Sequence, residues 1–302
     1  MTIEDILWLE AHGQRLGLLP RLGGGVAAWQ KVDGAKAVDL WRPWEGREDP
    51  VTLASFPMAP WANRIGHGGF EHDGRFHAIA PNRHDQRYPI HGDSWLQPWR
   101  VSLRRDDSVT AFLMSRGFRG LPYDYDAEQR WQLEPGGLDQ TLRITHRGAG
   151  SMPYGLGVHP WLPRAAGTSV QANVRGVWLT TEDLLPTTHA APLPEGWELP
   201  AGIPMRAPFI DNEFTGWDGH ARVTWPDRGL VLEMRMLPLQ TPAGEVAPEY
   251  FHLYRPAAGD TFCIEPVTQA VDAFHLEGRP GLVTLQPGES MNLRVQWRFA
   301  AV

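Results

Sequence analysis

Tyr125-Asp126-Ala127-Glu128-Gln129-Arg130-Trp131-Gln132-Leu133 runs into Glu134-Pro135-Gly136-Gly137 and returns through Leu138-Asp139-Gln140-Thr141-Leu142-Arg143-Ile144-Thr145-His146. Apolar and polar residues alternate at period two on both sides of the turn, the spacing of a strand with one buried face. Proline followed by glycine supplies the reversal, so the stretch reads as a β-hairpin with Leu133 facing Leu138. The same alternation returns in residues 99–103, 110–114, 221–225, 230–236 and 291–299. No apolar stripe of helical period exceeds ten residues. The expectation is all-β: a large antiparallel β-sandwich with few short helices, formed by residues 1–302 as a single domain.

Composition agrees with many short strands. Of 302 residues, 32 are glycine and 27 proline, which favour turns over long helices. The Gly23-Gly24-Gly25 cluster lacks the spacing and the following helix of a phosphate loop and reads as a tight turn. A net charge of −7 disfavours nucleic acid and anionic membrane as partners and suits a neutral small molecule. Residues 1–10 carry Glu4, Asp5 and Glu10 and do not read as a secretory signal. No run reaches the ~18 apolar residues of a membrane span. A single cysteine, Cys263, rules out an intrachain disulfide framework, and a cytoplasmic location is expected. Oligomeric state, monomer or homodimer, is not legible.

Four segments carry the chemistry. In Phe262-Cys263-Ile264-Glu265-Pro266 a carboxylate sits in an apolar strand, where it is costly unless paired or functional. Strand alternation turns Cys263 and Glu265 to one face and Phe262 and Ile264 to the other. Val158-His159-Pro160-Trp161 holds a histidine among apolar residues, either a buried structural ring or an acid. His91, before Gly92, is either a surface turn residue or a hydrogen-bond donor near neutral pH. Arg64, in a Pro- and Gly-punctuated loop, is either salt-bridged or a fork for adjacent hydroxyls of a polyol. His67, His72, His77 and His84 are close in sequence, but their spacing matches no metal-ligand pattern, and neither metal nor cofactor is expected. Residues 187–208, broken by five prolines, are expected over or beside the site.

Taken in order, Asn63-Arg64-Ile65, Asn82, His91-Gly92, His159-Pro160, Asp211-Asn212-Glu213-Phe214-Thr215-Gly216 and Cys263-Ile264-Glu265-Pro266 with Asp272-Ala273-Phe274 resemble the aldose 1-epimerase (galactose mutarotase) family. The resemblance implies a mutarotase-type supersandwich, no metal, and interconversion of the anomers of a free monosaccharide. It also implies roles: Glu265 as general base, His159 as general acid and His91 assisting them. Arg64, Asp211, Asn82 and Trp161 would make up the substrate-binding set, Asn82 by supporting the site, with Asp218 as an alternative to Asp211. A non-catalytic sugar-binding protein, or an epimerase of a phosphorylated or modified sugar, remains open on the same fold. Trp161 stands where many members have tyrosine, and Asp93 where a second glycine is usual.

Overall fold

The computed structural model describes residues 5–302. The hairpin that decided the reading is present: strands Asp124–Glu134 and Gly137–His146 pair with Leu133 opposite Leu138, and Gly136 takes a left-handed φ of 70°. Alternate side chains along both strands are buried, as the period-two pattern requires. These strands belong to an eleven-stranded antiparallel sheet that also contains Ser108–Arg116, His220–Trp225, Leu230–Met236 and the closing strand Ser290–Ala301. Among the described residues there is no α-helix, only single 3-10 turns, and no helix is long and apolar enough to cross a membrane.

An eight-stranded sheet positions the site. Its centre is Ile210–Thr215, Tyr250–Arg255 and Thr261–Val267, followed by Gly157–Val158 and Pro57–Met58; Trp161–Pro163 pairs with Thr261–Val267 as well. Phe214, Phe251, Leu253, Phe262 and Ile264 face the main core, which also holds Trp131 and Trp297 of the larger sheet and Trp29 and Trp41 of a separate four-stranded sheet. Trp41 meets Trp29 and Trp297 edge to face at 5.1 Å each, and with Trp61, Trp95, Trp99, Trp131, Trp217 and Trp225 also buried, most of the 14 tryptophans are interior. The Gly23–Gly24 turn is packed too closely for side chains: a β-carbon on Gly23 would lie 2.1 Å from the Trp95 carbonyl oxygen.

The other face of the same three strands is polar. Because pleating alternates, a core-facing Phe251, Leu253, Phe262 and Ile264 send His252, Tyr254, Cys263 and Glu265 the opposite way. Segments 56–65 and 82–95 fold over that face and enclose a cleft.

Candidate active site

Register lines up the polar face. Glu213 pairs with His252, and His252 with Glu265. Gly157 pairs with Val267 and Trp161 with Cys263, so the unchanged register across the break between them places His159 opposite Glu265. An acid, an imidazole, an acid and an imidazole therefore stand in a row on neighbouring segments. His159 Nε2 lies 3.3 Å from Glu265 Oε1, and the pair forms part of the wall of a cleft of about 320 Å³. Arg64, His91, Trp95, Trp161, Asp211, His252 and Tyr254 line the same cleft.

Burial sets the protonation of the central pair. Glu265 is raised to about 7, first by loss of water and then by Asp211, against the lowering effects of His252 and Arg64. His159 is lowered to about 3, again chiefly by burial, with the charge on His252 acting in the same direction. Among the described residues nothing hydrogen-bonds to its buried Nδ1, so no acceptor there supports an imidazolium at that end. Phe56 stacks on the ring at 4.5 Å and Trp161 lies tilted against it at 5.3 Å, which fixes its plane. Burial disfavours charge on His252 as well, but its 2.7 Å bond to Asp211 and the surrounding carboxylates outweigh that and raise it.

The loop segments are held by reciprocal bonds. The Asn63 N–H donates to His91 Nδ1 at 3.1 Å and the His91 N–H donates to the Asn63 carbonyl at 2.9 Å, with both residues at left-handed φ. Strain of this kind, of order 1–2 kcal/mol per residue, concentrates where geometry is used. Since His91 Nδ1 accepts, the neutral ring carries its proton on Nε2; burial and the nearby His159 and Arg64 keep its pKa well below the ordinary value. His91 is thus a neutral donor. Gly92 cannot be replaced, because at its φ of 65° a β-carbon would meet the Ala59 carbonyl oxygen at 2.0 Å.

Asp93 explains its own departure from a second glycine. It is 1% exposed and accepts from Tyr125 Oη at 2.5 Å, Ser115 Oγ at 2.8 Å and Gln97 Nε2 at 2.8 Å. Burial raises it to about 6 while the Tyr125 and Ser115 bonds pull it down. It ties the His91 loop to the eleven-stranded sheet.

Arg64 donates to Asn63 Oδ1 at 2.9 Å and to Gln86 Oε1 at 3.3 Å, and its Nη2 is 3.9 Å from Asp211 Oδ2. Asp211 is kept below the usual carboxylate range: burial would raise it, but His252 and Arg64 prevail. Asp218 is elsewhere, bonded to Asn173 and the His220 N–H at the surface. Asn82 stands behind the cleft wall and not in it: its amide donates to the Ile90 and Gly92 carbonyls and accepts from the Ile90 N–H, which occupies it in bracing the His91 loop. Within residues 187–208, Leu199, Ile203 and Met205 bury into the core, while Leu184 and Phe209 on either side of the stretch reach the cleft.

A family model described as aldose 1-epimerase matches residues 9–298. The chain belongs to the aldose 1-epimerase family. It is 33% identical over 268 residues to the uncharacterised Escherichia coli K12 protein YphB, a match spanning 85% of this chain and 89% of YphB. A crystal structure of an Escherichia coli K12 protein provisionally named an aldose 1-epimerase superposes with TM-score 0.88 at 28% identity, covering 98% of this chain and 99% of that one. A GalM/aldose epimerase homologue from C. elegans gives TM-score 0.81 at 17% identity over 98% and 99% of the two chains, a likeness of fold.

Within this family member, the sequence reading missed His252 and Glu213 as parts of the polar row. Glu213, within the Asp211–Gly216 motif, is 1% exposed, accepts from the Val271 N–H at 2.9 Å and is raised by burial to about 8. The available signal for His252 was Tyr250-Phe251-His252-Leu253-Tyr254, where apolar residues take one strand face and His252 the other.

Proposed function

We propose that this chain is a cofactor-independent aldose 1-epimerase that interconverts the α and β anomers of an unphosphorylated monosaccharide. The observation that carries the reading is the 3.3 Å approach of Glu265 and His159 in an open cleft beside Arg64 and Asp211. Opening a pyranose requires a proton to leave the C1 hydroxyl while another reaches the ring oxygen. In this reading the O1–C1–O5 edge of the sugar sits between the two groups. The Glu265 carboxylate takes the O1 proton, His159 Nε2 gives one to O5, the C1–O5 bond breaks and C1=O forms. Rotation about C1–C2 and closure on the other carbonyl face return both protons.

One proton on the pair suffices. Burial favours the neutral arrangement, a carboxylic acid beside a free imidazole. The reactive arrangement, carboxylate plus imidazolium, contains the same proton moved across one hydrogen bond. Ring opening converts the charged arrangement into the neutral one, so desolvation makes Glu265 a stronger base and His159 a stronger acid. His91, neutral with Nε2–H, would donate near O5 and C1. Arg64 and Asp211 offer donors and acceptors for ring hydroxyls, and Trp161 and Trp95 an apolar surface for the sugar face.

An uncharged sugar is favoured because both guanidinium groups lining the cleft are already paired. Arg64 faces Asp211, and Arg83 bonds to Asp49 at 3.1 Å and Asp85 at 2.8 Å. The test is anomer exchange by polarimetry or NMR across freshly dissolved aldoses. Acceleration that disappears in Glu265→Gln and collapses in His159→Asn is expected. Sugar binding without any acceleration would make the protein a sugar-binding module and end this reading.

A further inference from the structure

The loop that presents Arg64 continues into a second cluster of titratable side chains outside the cleft. His67 does not associate with His84; its partners are distant in sequence. His67, Asp272 and His275 each place a ligand atom within 4.8 Å of the others. The His67 and His275 rings meet edge to face at 4.6 Å, and His275 Nδ1 donates to Asp272 Oδ1 at 2.7 Å. Both histidines are exposed, whereas Asp272 is only 5% exposed. Among the described residues no side chain hydrogen-bonds to the His67 ring. Asp272 is itself fixed: Oδ1 accepts from the Gly66 N–H at 2.8 Å, and its own N–H donates to the Arg64 carbonyl at 3.1 Å.

We propose that His67, Asp272 and His275 form a binding site for one divalent cation of the zinc, nickel or copper class, with water completing the coordination. Two imidazoles and one carboxylate suit these borderline ions, whereas magnesium and calcium demand oxygen donors throughout. Metal–ligand bonds of about 2.0–2.1 Å place neighbouring donors of a tetrahedron about 3.3 Å apart. The present set brackets that spacing, from 2.7 Å between His275 and Asp272 to within 4.8 Å overall. The cation takes the place of the proton now shared by His275 Nδ1 and Asp272 Oδ1, and the His67 ring swings in to close the set. Asp272 needs no search, since two backbone contacts already hold it. A bound ion would clamp the 63–67 loop to the 272–275 turn, and both ends of that clamp touch the backbone of the Arg64 segment.

The experiment uses the full chain stripped with a chelator, then titrated with zinc against a chromogenic competitor, and separately with cobalt followed by visible absorption. One equivalent per chain at low-micromolar affinity and a cobalt d–d band of reduced symmetry are expected. His67→Ala and His275→Ala should each weaken binding ~10-fold or more, while His84→Ala, an exposed histidine elsewhere, leaves it unchanged. Thermal melting without metal should be the same for His67→Ala and His84→Ala, whereas His275→Ala also removes the donor to Asp272 and is read against its own metal-free melt. Absence of zinc binding, or binding that survives in both variants, would overturn the proposal. So would loss of binding in Glu265→Gln alone, which would place the ion among His159, Cys263 and Glu265, where ligand atoms also lie within 4.8 Å. None of these readouts depends on sugar chemistry.

Discussion

The pH profile of anomer exchange tests the one-proton pair directly. Glu265 at about 7 and His159 at about 3 bound a window in which the two together hold one proton. Below the window a second proton protonates both and removes the base. Above it the last proton leaves and the acid is gone. The sign follows: kcat/KM is flat from mid-acid to near neutrality and falls as pH rises through the Glu265 value. Each unit above that value lowers the one-proton fraction about tenfold, so the loss from pH 6 to 9 is about a hundredfold. NMR saturation transfer between anomers, corrected for the buffer- and hydroxide-catalysed blank, measures it. His252 sharpens the test. Its charge lowers Glu265, so His252→Gln should move the alkaline limb to higher pH. A rate that climbs from pH 6 to a plateau at 9 would refute the reasoning, because it would require an ionised Glu265 acting with a neutral donor.

Three further outcomes are expected. Glu213 is raised from 4.5 to about 8, so the fold loses stability as pH rises through that interval, at most about 1.4 kcal/mol per unit. Glu213→Gln should flatten the decline in Tm between pH 5 and 8, and an unchanged slope would count against a buried neutral acid. Asp93→Asn turns an amide N–H₂ toward converging donors and should cost about 2–4 kcal/mol in urea unfolding. Arg64→Lys cannot reach Asn63 and Asp211 together with one planar fork, and it should raise KM about tenfold with a smaller change in kcat.

Much of the fold was legible because strand periodicity is a local property. The 125–146 hairpin, the closing strand and the two faces of 261–267 all follow from alternation, and Glu265 stood out as a carboxylate in an apolar run. The partners of Glu265 were harder to see. That His159 stands opposite Glu265, or that His252 lies between two carboxylates, depends on inter-strand register, which is set by pairings across dozens of residues. The surroundings of Asn82 and of residues 187–208 were hidden for a related reason. A polar amide in a loop and a proline-rich connector look alike whether they face ligand, backbone or core. Only the assembled neighbours decide, as the Ile90 and Gly92 carbonyls do for Asn82.

The row of Glu213, His252, Glu265 and His159 has a consequence for assembly. Each member is delivered by a different neighbouring stretch of one sheet, so a slip of a single residue in Thr261–Val267 would bring Ile264 or Pro266 where Glu265 belongs. A mis-threaded chain could still bury its oily side chains, yet it would be inert. If the proposed anomer exchange holds, its recovery on refolding serves as a ruler for correct zippering, more exacting than any spectroscopic measure of strand content.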